Sequence, residues 1–215
     1  AAYTVKRKGT QKRRCPKMRW AHFRTCFLCD NFGAHTDRLP LRIMLFLVSL
    51  FWNICLTRKG PEEVPAQYAL IGLLIIGKIV FVLAIASVVA DELRALFLVT
   101  QIVTWATVAG LITALALQLR DHFSRFIPTF GAILGTDLLV TTLYGLVFLV
   151  VRLTGVEIAP ELGSSANVLV ELWTTFVVGF IMHRALDLNI GLGILAALII
   201  KMFSVAISLQ IATFT

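Results

Sequence analysis

The sequence predicts an all-α fold, a polytopic transmembrane helical bundle with five spans and a short N-terminal helix at the membrane surface. Of the 215 residues, 58% are hydrophobic and only 15% are charged, whereas soluble proteins carry about 25% charged residues. The mean hydropathy is +0.86. Several uninterrupted apolar runs are longer than the roughly 18 residues that cross a bilayer. A water-soluble fold is therefore excluded.

A transmembrane β-barrel is excluded by the same apolar runs. Barrel strands are about ten residues long and alternate apolar with polar side chains, and this sequence does not alternate over such a length. Helices and closed barrels are the two structures that satisfy every backbone hydrogen bond in lipid. The apolar runs are therefore expected to be helical.

The positive charge is concentrated in residues 1–42. They hold 11 Lys/Arg against Asp30 and Asp37, whereas the remaining residues hold 9 Lys/Arg against 10 Asp/Glu. The pI of about 9.7 therefore describes a basic, poorly ordered N-terminal extension. Such a tail beside apolar segments is typical of the cytoplasmic side, where it touches anionic headgroups. Membrane lipids are expected partners, and nucleic acid is not.

Five spans follow from the apolar runs and the polar or Pro/Gly breaks between them. They are predicted at residues 67–90, 94–118, 128–151, 167–186 and 190–213. A sixth apolar stretch, residues 43–57, would cover about 22 Å as a helix, which is short of the ~30 Å hydrocarbon core. It either lies in the headgroup plane as an interfacial helix or spans a locally thinned bilayer.

The distribution of Lys and Arg favours the interfacial alternative, because these residues concentrate in short cytoplasmic loops. If residues 43–57 lie on the cytoplasmic surface, 16 cations are inside and only Arg94 and Arg152 are outside. If residues 43–57 span, the division is 13 inside and 5 outside. The sequence therefore predicts five spans, with a cytoplasmic N-terminus and an outward C-terminus.

Four ionisable side chains fall inside the predicted spans, where an isolated charge costs several kcal/mol. Lys78, Asp137 and Lys201 lie at one level, about 16, 14 and 16 Å from the cytoplasmic ends of their helices. Glu171 lies at about 24 Å, near the level of Gln101 at about 25 Å. Two cations and two anions balance in a polar network. The network consists either of interhelical ion pairs or of a relay or ligand site.

A small-residue seam and a basic face are the other candidate sites. Gly131 and Gly135 have the spacing that permits close helix contact, and Thr136 adds a hydroxyl beside them. Basic side chains at the predicted span ends are expected to face lipid headgroups. They are Arg120, His122, Arg125, His183 and Arg184.

Neither a metal site nor a catalytic site is predicted. Cys26 and Cys29 form half of a zinc-ribbon pattern, but the second pair of ligands at matching spacing is missing. These two cysteines are therefore weak metal candidates only. A Ser/His/Asp set, a phosphate loop and a paired-His helix motif are all missing from the sequence. The sequence accordingly indicates a protein that is not an enzyme and that needs no cofactor.

Short stretches between Met44 and the C-terminus carry a resemblance to a known family. They are Arg58-Lys-Gly-Pro-Glu-Glu-Val-Pro65, Arg125-Phe-Ile-Pro-Thr-Phe-Gly-Ala-Ile-Leu-Gly-Thr-Asp137, and Glu171-Leu-Trp173 through His183-Arg-Ala-Leu-Asp-Leu188. In these stretches the chain resembles the Yip1-like family of five-span membrane proteins, particularly its bacterial branch. The resemblance implies a cytoplasmic N-terminus, five spans and an outward C-terminus.

The resemblance carries no catalytic residue onto this sequence. Eukaryotic relatives are associated with small GTPases, vesicle traffic and membrane shaping, but the short basic, Cys-containing tail departs from their pattern, so GTPase binding is not carried over. The predicted function is that of a non-enzymatic protein of the bacterial inner membrane that acts as a scaffold or partner in a membrane assembly, or as a modulator of lipid organisation. The alternative is a small transporter or ion-conducting protein that uses Lys78, Asp137, Glu171 and Lys201.

Overall fold

The computed structural model describes residues 39–89, 92–154 and 160–214. Nearly all of the predicted N-terminal extension, including Cys26 and Cys29, lies outside these residues. The described residues form six helices, and 3-10 turns lie at Pro61–Glu63 and Phe123–Arg125. The helices are α1 (Leu39–Cys55), α2 (Tyr68–Val89), α3 (Glu92–Leu119), α4 (Phe126–Thr154), α5 (Pro160–Leu186) and α6 (Ile190–Phe214).

Helices α2 to α6 are long and apolar enough to cross a membrane, and no β-strand occurs in the ranges that the structure describes. The predicted all-α class is therefore confirmed, and the chain is a multi-pass helical membrane protein. Helix α1 has 17 residues and is about 26 Å long, which is short of the ~30 Å hydrocarbon core. Its position in the headgroup plane stays a prediction.

The helix boundaries differ from the predicted ones by up to seven residues, and two of the differences have a clear local cause. Helix α5 begins at Pro160, seven residues before the predicted start, because proline is well suited to the first turn of a helix. The residues that follow Pro160 are mostly polar or small, so the first two turns of α5 do not form part of an apolar run. Helix α1 ends at Cys55, two residues early, because Thr57 takes a left-handed conformation with a φ of 56°.

Helices α1, α3 and α5 end in the same kind of turn. Each turn contains a residue with positive φ, which is 56° at Thr57, 56° at Asp121 and 51° at Asp187. The amide of the next residue donates to the carbonyl five residues earlier, over 2.9 to 3.1 Å. This bond is the long one of the Schellman motif, and it satisfies a carbonyl that the helix leaves without a partner.

The three turns gather at one end of the bundle, where side chains join the loops. Arg125 donates to Asp187 over 3.0 Å, and Arg184 donates to Glu62 over 3.2 Å. We call this end, made of loop residues 56–67, 120–125 and 187–189, the arginine end. The helices that follow these loops, α2, α4 and α6, all begin there.

Helix α3 contacts all four of the other spans, while α5 and α6 form the most extensive pair. The α5–α6 contact depends on two glycines. A Cβ added to Gly179 would lie 2.8 Å from the Cα of Ile194, and one added to Gly193 would lie 2.9 Å from the backbone nitrogen of His183. Backbone atoms cannot yield at such distances, so both positions require glycine for the helices to approach this closely.

Helix α1 packs one face against the bundle and leaves the other exposed. Leu50, Phe51 and Ile54 are buried, whereas Phe46 and Trp52 are exposed. The Phe51 ring occupies the space beside Gly135 on α4, and Val64 from the following loop lies 3.4 Å from the Cβ position of Gly131. The predicted seam at Gly131 and Gly135 therefore receives side chains of α1 and its loop rather than another span.

Burial also affects the thiol at the end of α1. Cys55 is 4% exposed, and desolvation by burial raises its pKa from 9.0 to about 11. The neutral form is favoured because a thiolate is poorly solvated among apolar side chains. At neutral pH this cysteine is therefore a protonated, unreactive part of the α1 packing.

Replacing Gly193 by Ala is expected to lower the free energy of unfolding by about 1–3 kcal/mol, because the added methyl group overpacks the α5–α6 contact. Thermal unfolding of the purified protein in detergent measures this loss. Gly191→Ala is the matched control, since a Cβ at Gly191 meets nothing within 4 Å. Equal stability of the two variants would contradict the close-packed contact.

Candidate functional site: a polar recess between two ion pairs

The first ion pair joins α2 to α4 near the middle of the bundle. Lys78 Nζ donates to the Asp137 carboxylate, and the two side chains are 12% and 19% exposed. Both residues lie about 15–16 Å from the arginine end of their helices. The Lys78 ammonium also lies 4.6 Å from the centre of the Trp105 ring on α3, where it is attracted to the negative face of the indole.

The second ion pair joins α5 to α6. Lys201 Nζ donates to the Glu171 carboxylate and also to the Thr174 hydroxyl over 3.2 Å. The side chains of Lys201 and Glu171 are 26% and 56% exposed. This pair therefore lies at the edge of the bundle, whereas the Lys78–Asp137 pair is largely enclosed.

A narrow recess lies between the two pairs. It has a volume of about 270 Å³, part of it open to the outside, and its interior has room for about one water molecule. One member of each ion pair, Asp137 and Lys201, contributes to its wall. The lining residues are Trp105, Thr136, Asp137, Val140, Thr174, Val177, Val178 and Lys201.

The structure thus brings together the four charges that the sequence singled out, as two cation–anion pairs around one recess. It does not enclose them equally, because Glu171 is more than half exposed. Gln101, predicted near the level of Glu171, is exposed on α3 and does not line the recess. Thr136 of the predicted seam does line the recess.

Two contributors to the site were not singled out by the sequence. Trp105 lies about 20 Å from the start of α3, and a mid-span tryptophan is unusual because this residue is enriched at membrane interfaces. Thr174 follows Glu171 by three residues, which places both on one helical face. The mid-span position of Trp105 and the three-residue spacing of Glu171 and Thr174 are visible in the sequence and could have indicated both residues.

The predicted headgroup-facing residues lie at the arginine end. Arg125 Nη1 contacts Asp187 Oδ2, and it also donates to the backbone carbonyl of Ala185 over 3.4 Å. The guanidinium of Arg184 lies 5.4 Å from the Phe180 ring centre, in addition to its contact with Glu62. These arginines therefore connect loops of the protein, and lipid contact by them stays a prediction.

The remaining basic residues of that group differ in their surroundings. His122 Nε2 lies 3.8 Å from Asp187 Oδ2, and its other ring nitrogen contacts the carbonyl of Arg120. His183 Nδ1 contacts the carbonyl of Leu188, within the turn that ends α5. Arg120 itself is exposed. Both histidines thus contribute to the turns, and Arg120 is the member of the group best placed for a headgroup.

Metal ligands do not cluster in the part of the chain that the structure describes, where no three His, Cys, Asp or Glu side chains approach one another closely enough. The weak candidates Cys26 and Cys29 lie outside that part. The chemistry available at the recess is therefore that of two ion pairs, two threonine hydroxyls and an indole ring.

Comparisons with known proteins yield no neighbour. No family model, no curated protein and no solved structure matches the chain. The Yip1-like resemblance therefore stays a prediction that depends on short stretches of sequence, and the function has to be argued from the residues of this chain.

Removing one partner of the enclosed pair is expected to lower the free energy of unfolding by about 3 kcal/mol, because an uncompensated charge then remains inside the bundle. Lys78→Met and Asp137→Leu are the single variants, and thermal unfolding in detergent is the measurement. The double variant Lys78→Met with Asp137→Leu should recover most of the loss. Glu171→Gln is the control, with a smaller loss at the more exposed pair. Losses that simply add in the double variant would show that the two residues do not stabilise each other.

Proposed function

We propose that this protein is a non-enzymatic, integral inner-membrane protein of a bacterium that acts through helix–helix contacts, either as a scaffold or partner in a membrane assembly or as a modulator of lipid organisation. The observation that carries this proposal is the pairing of the intramembrane charges. Each cation meets its anion on a different helix, so that one pair joins α2 to α4 and the other joins α5 to α6.

Charges used in this way hold helices in a fixed order. A lone charge in the bilayer would demand a water-filled cavity or a ligand, whereas each of these charges has a partner of opposite charge on another helix. The glycine contact between α5 and α6 also holds two helices together, since close backbone approach is a usual basis of helix association in lipid. A rigid five-helix body with a lipid-facing apolar surface is what a scaffold requires.

The orientation is part of the same proposal. The excess of Lys and Arg supports a cytoplasmic position for the N-terminus and the arginine end, and the Yip1-like resemblance implies the same arrangement. A reporter fused after Thr215 tests it, because a cytoplasmic signal at that position would reverse the orientation.

Purification from native membranes in a mild detergent is expected to recover the protein as part of a larger assembly, because its contacts with neighbouring helices and lipids survive such extraction. Light scattering gives the mass of the particle, and mass spectrometry identifies the proteins and lipids in it. A protein that runs alone, as a monomer without retained lipid, would contradict the proposal.

A second candidate function is that of a small transporter or ion-conducting protein. It is favoured by one observation, namely that Asp137 and Lys201 line the same recess with two hydroxyls between the pairs. The recess has room for about one water molecule, so a proton is the species that best fits it.

Proton flux into reconstituted vesicles separates the two candidates. If the pairs are structural, Asp137→Asn lowers stability and leaves proton flux at the background level of protein-free vesicles. If they form a relay, wild-type vesicles conduct protons, and Asp137→Asn abolishes this flux while the helical content is retained. Glu171→Gln provides the comparison at the second pair.

A further inference from the structure

The exposed ion pair between α5 and α6 has the properties of an interaction surface inside the membrane. Glu171 lies about 16 Å from the N-terminus of α5 and about 22 Å from its C-terminus, deep within the span. Its side chain is nevertheless 56% exposed. A carboxylate that faces hydrocarbon at this depth costs several kcal/mol, and the bond from Lys201 Nζ covers only one side of it.

A polar stripe surrounds this carboxylate. Asn167, Glu171 and Thr175 follow one another at intervals of four residues and therefore lie on one face of α5. Asn167 is exposed. Thr175 is partly exposed, and its hydroxyl already donates to the backbone carbonyl of Glu171 over 2.7 Å. In a lipid environment polar side chains at helical spacing are the usual contacts between helices, because hydrocarbon offers them no hydrogen bonds.

The charges of this surface complement themselves. When a second copy is related to the first by a two-fold rotation, the two edges face each other with their charges in opposite order. Glu171 of one copy would then face Lys201 of the second copy, and Lys201 of the first would face Glu171 of the second. The surface thus matches a second copy of the chain in its charges. Exposed apolar side chains flank the pair on both helices, Val168 on α5 and Val205 on α6.

We propose that the α5–α6 edge around Glu171 and Lys201 is a homodimer interface within the membrane, in which the two ion pairs of the copies combine into a four-charge cluster. This inference rests on the proposed function, because it names the partner that the helix contacts would recruit. The Lys78–Asp137 pair takes no part, since it is enclosed between α2, α4 and α3.

Copper-catalysed disulfide formation between single cysteines in native membranes tests the interface. In a background in which the four native cysteines are replaced, co-expressed Val168→Cys and Val205→Cys chains should give a mixed covalent dimer, because the two-fold arrangement places α5 of one copy against α6 of the other. Val147→Cys on α4 is the matched control, because Val147 is exposed to a similar degree on another face of the bundle. Equal crosslinking of Val205→Cys to Val168→Cys and to Val147→Cys, or no crosslink between Val168→Cys and Val205→Cys, would overturn the inference.

The role of the charges is measured by the dimer fraction in vesicles at several protein-to-lipid ratios. Glu171→Gln should weaken dimerisation about tenfold, which is the effect of roughly 1–2 kcal/mol of interhelical polar contact. Exchanging the two charges, Glu171→Lys with Lys201→Glu, should restore it. Glu62→Gln, which removes an equally exposed carboxylate from an ion pair at the arginine end, should leave the dimer fraction unchanged. Glu171→Gln that retains full helical content and the wild-type dimer fraction would overturn the inference.

The same experiments separate this inference from the proposed function. A wild-type protein that co-purifies with a different protein and never with itself contradicts the homodimer but leaves the scaffold proposal standing. A wild-type protein that is monomeric and alone in native membranes contradicts both.

Discussion

The pairing of charges inside the bilayer is the constraint on which the rest of this structure depends. Hydrocarbon does not solvate an ammonium or a carboxylate, so each intramembrane charge needs a partner within reach. Lys78 meets Asp137 and Lys201 meets Glu171, and in both cases the partners belong to different helices. The two contacts therefore fix which helices are neighbours and at what depth. The recess lies where the two pairs approach each other.

Ion pairs also hold the structure together at the arginine end, outside the hydrocarbon core. Helices α1, α3 and α5 are each followed by a residue with positive φ. At two of these helix ends the residue is aspartate, whose short side chain tolerates that conformation. Asp187 then accepts from Arg125, while Glu62 accepts from Arg184. Asp187, which follows the last residue of α5, thus also joins its turn to the loop that carries Arg125. The predicted headgroup-facing arginines Arg125 and Arg184 are therefore paired with carboxylates in the structure.

The two ion pairs differ in the exposure of their side chains, and this difference suits them to different roles. The enclosed Lys78–Asp137 pair, backed by Trp105, has no surface to offer to another molecule. The Lys201–Glu171 pair stands at the edge of the bundle, with a polar stripe on α5 beside it. One pair suits an internal crosslink between helices, and the other suits a contact with a neighbouring chain. The close α5–α6 approach at Gly179 and Gly193 joins the same two helices that carry this exposed pair.

The sequence by itself determined the all-α membrane class and the five long apolar helices, because span length and hydropathy are local properties of the chain. It also identified Lys78, Asp137, Glu171 and Lys201, since a charge in an apolar run is conspicuous wherever its partner lies. Only the tertiary structure decided which cation meets which anion, that Glu171 is exposed while Gln101 lies apart from the recess, and that Gly135 receives Phe51. It also decided that Gly179, rather than the predicted Gly131 seam, mediates backbone contact between spans. These outcomes depend on how each helix is rotated about its axis, and a nearly uniform apolar surface leaves that rotation undetermined until the helices pack.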